Sequence, residues 1–318
     1  MSFRSFLKLV EIQTKIASVI PFLLGTFYSL YRYGKFRFEN FIIMFISLLA
    51  FDMTTTAINN YIDFKKARKK EGYGYEKHNA IVRDNLREST VLTTIYILLS
   101  IAIVFGIILT LRTNLVVLLI GVISFMVGIF YSFGPIPISR MPLGELFSGV
   151  FMGFIIMFLS IYIHVYDQNL ITLTFQSGII NLSINIVEVF NIFLISIPAV
   201  VGIANIMLAN NICDVEDDIV NGRHTLVYYI GKERALVLFK ILYYIGYIDI
   251  AILLALKLVP TALLIVLLTF IPVRKNIGLF HSNPVKSETF VLSVKNFIMM
   301  NLSQIILIAI VVAFKGFM

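Results

Sequence analysis

The sequence predicts an all-α, polytopic membrane protein, and three observations carry that prediction. Of its 318 residues 59% are hydrophobic and only 14% charged, with a mean hydropathy of +0.92. A soluble domain of this length could not hide that much apolar surface, so most of it must face lipid. Apolar runs of about 20 residues, each enough to cross the hydrocarbon core, recur along the whole chain. Lysines and arginines gather in alternate connections between those runs, as positive-inside topology requires. The chain reads as one domain, residues 1–318.

Taken in order, Met1 to Lys8 leads straight into the first apolar run. It has no separate apolar core and no small-residue cleavage site, so no removable signal peptide is expected. Nine spans follow, at about 9–31, 40–62, 90–111, 114–133, 143–166, 189–210, 235–256, 257–273 and 297–315. Pro260 is the main punctuation between the seventh and eighth. The connection after the second span carries Lys65, Lys66, Arg68, Lys69, Lys70, Lys77, Arg83 and Arg87. The stretch from Val165 to Asn191 has no Lys or Arg at all. This bias puts the N-terminus and the basic loops in the cytoplasm, with the 165–191 connection outside and the cell membrane as the location.

The net charge of +8 is local to these loops, which argues against a nucleic-acid partner. Cys213 is the only cysteine, so neither a disulfide framework nor a cysteine zinc site is available. Trp is absent, leaving 28 Phe and 15 Tyr as interfacial anchors and aromatic lining. No obligate protein partner is implied.

The organising stretch is Asn210-Asn211-Ile212-Cys213-Asp214-Val215-Glu216-Asp217-Asp218. It places four acids in five positions in a chain with only 18 Asp and Glu. On a helix Asp214 and Asp218 share a face, where like charges repel at a membrane boundary. Mg²⁺ would turn that repulsion into attraction, because it takes carboxylate oxygens together with substrate phosphates. The plainer reading is a solvated acidic helix end.

Upstream, Asp52, Thr56, Asn59 and Asp63 form one stripe along the second span. Asn59 and Asp63 repeat the amide-plus-carboxylate spacing of Asn210, Asp214 and Asp218, so two helix ends on one side of the membrane can converge on a shared site. Asp52 lies deeper; it is either functional or a carboxyl satisfied by a neighbouring helix. The basic tract after Asp63 suits a diphosphate bridged by the cation, with Lys65, Arg68 and Arg83 singled out. An ordinary positive-inside loop that attracts anionic lipid explains most of the same residues. The segment from Tyr131 to Leu146 holds three prolines and two glycines, which force a rigid re-entry, and Glu145 opens the next span. Glu145 reads equally well as a simple helix-start residue.

Other signals fade. Ile219 occupies the position where a calcium loop of the EF-hand type needs Gly. Asn181-Leu182-Ser183 fits a glycosylation acceptor, which matters only in a secretory-pathway host. His164, His224 and His281 lack metal-ligand spacing. There is no phosphate-binding Gly-rich loop and no nucleophile elbow. The residues alone thus describe a membrane-embedded Mg²⁺–diphosphate site, open to the cytoplasm, with an apolar body behind it that suits a long hydrocarbon tail.

Asn59-Asn60-Tyr61-Ile62-Asp63 and Asp214-Val215-Glu216-Asp217-Asp218 resemble the paired acidic motifs of the UbiA-type membrane prenyltransferases. Gly222-Arg223-His224-Thr225-Leu226 resembles the continuation of the second motif. The resemblance covers the whole chain. Within the superfamily it leans to the 1,4-dihydroxy-2-naphthoate prenyltransferases of menaquinone synthesis. Asn210-Asn211, the Gly134-to-Glu145 segment and the run from Thr289 to Phe297 carry that leaning. Asn60 stands where many relatives have Asp, and Ala67 replaces an outlying acid, so the first motif is poorer in charge.

The resemblance implies electrophilic aromatic substitution. Mg²⁺ would be held by Asn59, Asp63, Asn210, Asp214 and Asp218, and Asn60, Arg83, Arg223 and Glu145 would bind substrate. Lys65, Arg68 and Arg223 would take up charge on the departing diphosphate. Tyr61 and Tyr131 would face the allylic cation. A polyprenyl group would pass to the naphthoate, which loses CO₂ to give demethylmenaquinone. Another acceptor on the same scaffold (4-hydroxybenzoate, homogentisate or a lipid ether precursor) and an ion-coupled transporter are the alternatives.

Overall fold

Short polar side chains at Ser2, Asn79, Asn114 and Asn185 each cap the start of a helix. Ser2 accepts a hydrogen bond from the Ser5 N–H at 3.1 Å and opens α1 (Phe3–Leu9). The computed structural model describes residues 1–66, 79–134 and 137–315. Glu11, at φ 47°, breaks the chain before a 3₁₀ turn (Ile12–Lys15) and α2 (Ile16–Tyr33). The first span therefore begins later than the apolar run suggests. Gly34, at φ 63°, ends α2 in the left-handed conformation that glycine adopts without strain.

Next come α3 (Phe38–Lys66), α4 (Ala80–Arg83), α5 (Glu88–Arg112), α6 (Leu115–Ser132) and α7 (Gly144–Val165). Asn79 caps α4 and Asn114 caps α6, accepting from Ile81 N–H at 3.0 Å and Val116 N–H at 3.1 Å. A hairpin, β1 (Ile171–Gln176) and β2 (Ile179–Ile184), follows in antiparallel register from Ile171↔Ile184 to Gln176↔Ile179. The expected outer loop thus carries a sheet that the apolar-run reading did not include. Its signal was Ser177-Gly178, both at positive φ, between alternating residues.

The chain then forms α8 (Ile186–Cys213), α9 (Val215–Val220), α10 (Leu226–Ile230), α11 (Lys232–Ala255), α12 (Thr261–Ser282) and α13 (Phe290–Lys315). Pro260 is the N-cap of the 3₁₀ start of α12, so it does divide the seventh and eighth spans.

Among the described residues, eight helices are long and apolar enough to cross a membrane: α3, α5, α6, α7, α8, α11, α12 and α13. The helix α2, as long as α6 but not among these eight, packs against α7 and α13. The most buried of the eight is α8. Close backbone approach makes that possible, because a side chain at Gly153 of α7 would reach Val200 of α8.

The two ends of the bundle differ. At one end Arg112 pairs with Glu39 and donates to Asn40 Oδ1 at 3.3 Å, while Asn40 donates to the Ile163 carbonyl at 2.8 Å. Asn114 donates to Tyr162 Oη, whose hydroxyl donates to the Ile171 carbonyl at 2.9 Å. These bonds bolt α3, α5, α6, α7 and the hairpin together. At the other end Leu9, Ala57, Ala80, Ile81, Val91 and Ile95 form a small core of their own beside an open mouth.

Candidate active site

The last turns of α3 and the end of α8 bring their polar residues to one cavity of about 1300 Å³. Asn59, Asp63, Asn210 and Asp214 all lie on its wall, together with Arg83, Tyr131, Arg223 and Lys286. Ser132 donates to Asn59 Oδ1 at 3.0 Å, which fixes the amide at the foot of α6. Lys286, from the connection between α12 and α13, forms an ion pair with Asp214. Arg223, Arg140 and Lys286 all act electrostatically on Asp63. Nothing in the sequence around residue 286 ties it to residue 214, so Lys286 is a site residue that only the fold brings in.

Asp218 is buried but is not part of the wall. Its Oδ1 lies 3.4 Å from Arg223 Nε, and the Arg223 N–H donates to the Asp218 carbonyl at 2.8 Å. Among the described residues its Oδ2 has no hydrogen-bond partner. Burial raises its pKa to about 6, against the opposing pull of Arg223. Asp218 thus holds Arg223 toward the cavity. Because the carboxyl gains its proton as pH falls through about 6, Arg223 loses its paired charge there. Binding of a labelled allylic diphosphate should weaken as pH falls from 7 to 5, with its midpoint near 6. Asp218→Asn should flatten that profile at the weaker level; an unchanged profile would sink the idea.

Several expected site residues point elsewhere. Lys65 pairs with Glu88 at 2.6 Å, and Tyr61 Oη donates to the same carboxylate at 2.5 Å, so both turn toward α5 rather than the cavity. Asn60 reaches the cavity edge, but its amide donates to the Leu9 carbonyl at 3.0 Å and to Glu11 Oε1 at 3.2 Å, tying α1 to α3. Glu145 accepts from Asn211 Nδ2 at 2.8 Å and is not on the wall, which makes it a brace between α7 and α8. Tyr131 does face the cavity, its hydroxyl accepting from Ser148 Oγ at 3.0 Å. Arg68 lies outside the described residues.

Away from the polar mouth the wall is apolar, with Met44, Leu48, Phe51, Phe147, Phe151, Met152 and Ile206 on it. Where α5 and α6 meet, Ile103, Ile107, Leu118, Val122 and Met126 line the cavity and are each 37–49% exposed.

The sequence matches the UbiA prenyltransferase family over residues 18–302. The chain belongs to that family. It is 32% identical over 244 residues to the 1,4-dihydroxy-2-naphthoate octaprenyltransferase of Bacillus subtilis (strain 168), covering 76% of this chain and 70% of that protein. The fold is shared with a UbiA homolog from Archaeoglobus fulgidus bound to DMAPP and Mg²⁺ (TM-score 0.64, 13% identity, 96% of this chain and 99% of that one). It is shared also with the apo structure of a UbiA homolog from Aeropyrum pernix K1 (TM-score 0.67, 18% identity, 93% and 98%). This integral membrane protein is therefore a prenyltransferase.

The donor set suits Mg²⁺ in one particular way. Among the described residues no three His, Cys, Asp or Glu side chains converge on one point. Hard oxygen donors are nevertheless on the wall: the carboxylates Asp63 and Asp214 and the amides Asn59 and Asn210. Mg²⁺ is commonly held by one or two carboxylates plus substrate phosphates, so this protein set fits a metal–substrate complex better than a metal alone.

Proposed function

We propose that this prenyltransferase moves a polyprenyl group from an allylic diphosphate to 1,4-dihydroxy-2-naphthoate, with loss of CO₂, to give demethylmenaquinone in its quinol form. The 32% identity to the Bacillus subtilis enzyme of that name is the observation that carries the acceptor. Asp63 and Asp214, assisted by Asn59 and Asn210, would hold Mg²⁺, which neutralises the diphosphate and makes it a better leaving group. Arg223 and Lys286 add fixed positive charge where negative charge grows as the allylic C–O bond breaks. Asp218 sits behind Arg223 and orients it. The Tyr131 ring and the apolar wall shield the allylic carbon from water. The naphthoate ring then forms the new C–C bond, and the carboxyl carbon departs as CO₂, returning its electron pair to the ring.

We read the chain as one domain in the cell membrane, with the N-terminus and the cavity mouth on the cytoplasmic side. The Lys and Arg bias of the connections supports that orientation. The test is a membrane assay with Mg²⁺ and a labelled allylic diphosphate. Dihydroxynaphthoate, 4-hydroxybenzoate and homogentisate are offered in separate tubes. Lipid-soluble product and CO₂ are expected with dihydroxynaphthoate alone. Product from a different acceptor would keep the metal site and discard the naphthoate.

A further inference from the structure

Among the charged residues on the cavity wall that the reaction described above does not use, Asp52 is on α3, eleven residues before Asp63. Asp52 of α3 lines the cavity, and its carboxylate is held from two sides. Lys15 Nζ donates to Asp52 Oδ1 at 2.5 Å, to the Asp52 carbonyl at 3.0 Å and to Thr56 Oγ1 at 2.6 Å. Ser18 Oγ donates to Asp52 Oδ2 at 2.5 Å. Lys15 is only 3% exposed and its three donors are all spent, so it offers nothing to a ligand. The carboxylate is different. Each oxygen has accepted from one side chain and keeps further acceptor capacity, and the residue is on the wall.

The station therefore presents a charged hydrogen-bond acceptor, fixed in direction, among the neighbouring apolar residues Met44, Leu48 and Phe51 of the wall. A prenyl tail has no donor for it. A phenolic hydroxyl does. Its depth also fits. Asp52 lies eleven residues from Asp63 on one helix, or about 16 Å at the helical rise. A metal-bound diphosphate, the reacting carbon, and an aromatic ring reaching to a hydroxyl fill a span of that order.

We infer that the Lys15–Asp52 pair, with Ser18 and Thr56, is the subsite that receives a ring hydroxyl of the aromatic acceptor, Asp52 accepting its hydrogen bond. This rests on the aromatic acceptor proposed above. As the ring attacks the allylic carbon and the C–O bond to diphosphate breaks, positive charge spreads to the ring hydroxyl, and Asp52 stabilises it. The hydroxyl keeps its proton; loss of CO₂ restores the ring. Lys15 is a positioning residue that fixes the Asp52 rotamer.

Removing one member would strand a buried charge, so the informative variant removes both: Lys15→Met with Asp52→Leu, which leaves an apolar pair. Asp52→Asn and Lys15→Arg run beside it. Magnesium-dependent binding of the labelled allylic diphosphate should stay within about 2-fold of wild type, since that end is untouched. The acceptor KM should rise roughly 10- to 100-fold, as loss of a hydrogen bond to a charged group allows. Lys15→Arg should restore part of the acceptor KM. A mono-methyl ether of the acceptor should be a poor substrate for the wild type and suffer no further loss in the double variant. An unchanged acceptor KM in the double variant, or parallel loss of acceptor and diphosphate affinity, overturns the inference. Wild-type protein that transfers to no aromatic acceptor overturns the proposed reaction itself, and is told apart by appearing before any substitution is made.

Discussion

Asp214→Asn is expected to lower prenyl transfer by more than about 100-fold, because even outer partners of a metal site cost 10- to 100-fold when removed. Asp214 is on the cavity wall, pairs with Lys286 and shares the wall with Asp63. Asp217, three residues on, is exposed and makes no comparable contact with the cavity. Asp217→Asn should therefore leave transfer within about 2-fold, the usual range for a solvated charge. Initial rates with and without excess chelator decide the matter. Wild type and Asp217→Asn should both lose activity to the chelator and regain it with Mg²⁺. Equal damage from both substitutions would mean that the acidic cluster acts as a bulk field and not through a cavity-facing ligand.

Gly153→Leu should be the most damaging single change to the fold. A Cβ at that position would stand 2.6 Å from Val200 Cα and 2.7 Å from Val200 N, both backbone atoms of α8. Neither can swing away, so α7 and α8 must separate. Overpacking commonly costs about 1–3 kcal/mol, occasionally more, and a clash with backbone belongs at the top of that range. Detergent-solubilised protein should lose on the order of 5–10 °C in apparent Tm. Gly121→Leu is the matched control, since nothing lies within 4 Å of its added Cβ. A normal melting profile for Gly153→Leu would show that the two helices are not packed this closely.

Much of the site was legible because its chemistry is written along single helices. Asn59 and Asp63 lie four apart, as do Asn210 and Asp214, and each pair needs only helical periodicity to share a face. The motif resemblance pointed to the same positions. What escaped was whatever depends on a partner distant in sequence. Lys65 sits next to the acidic motif, but Glu88, 23 positions on, claims it. Glu145 opens an apolar run, yet its Oε1 accepts from Asn211 and the residue lies off the cavity wall. Lys286 and Lys15 were visible only as members of a charge count. Within the second motif, periodicity treated Asp214 and Asp218 alike. The helix breaks at Asp214 (φ −101°, ψ 6°), and this sends Asp218 to Arg223 instead of the cavity. The spans were recovered from apolar length alone; the hairpin was not, because six-residue strands fall below that filter.

The seam between α5 and α6 has a consequence for how the enzyme empties itself. The far end of the bundle is tied by the Glu39–Arg112–Asn40 chain. Returning through the charged mouth would drag hydrocarbon into water at about 0.8 kcal/mol for each methylene. Ile103, Ile107, Leu118, Val122 and Met126, where α5 and α6 meet, are apolar and exposed. Sideways passage between these helices exchanges one oily environment for another, with almost no change in solvation. For the reaction proposed above, the prenylated product would leave sideways into the membrane, and the diphosphate would leave through the polar mouth.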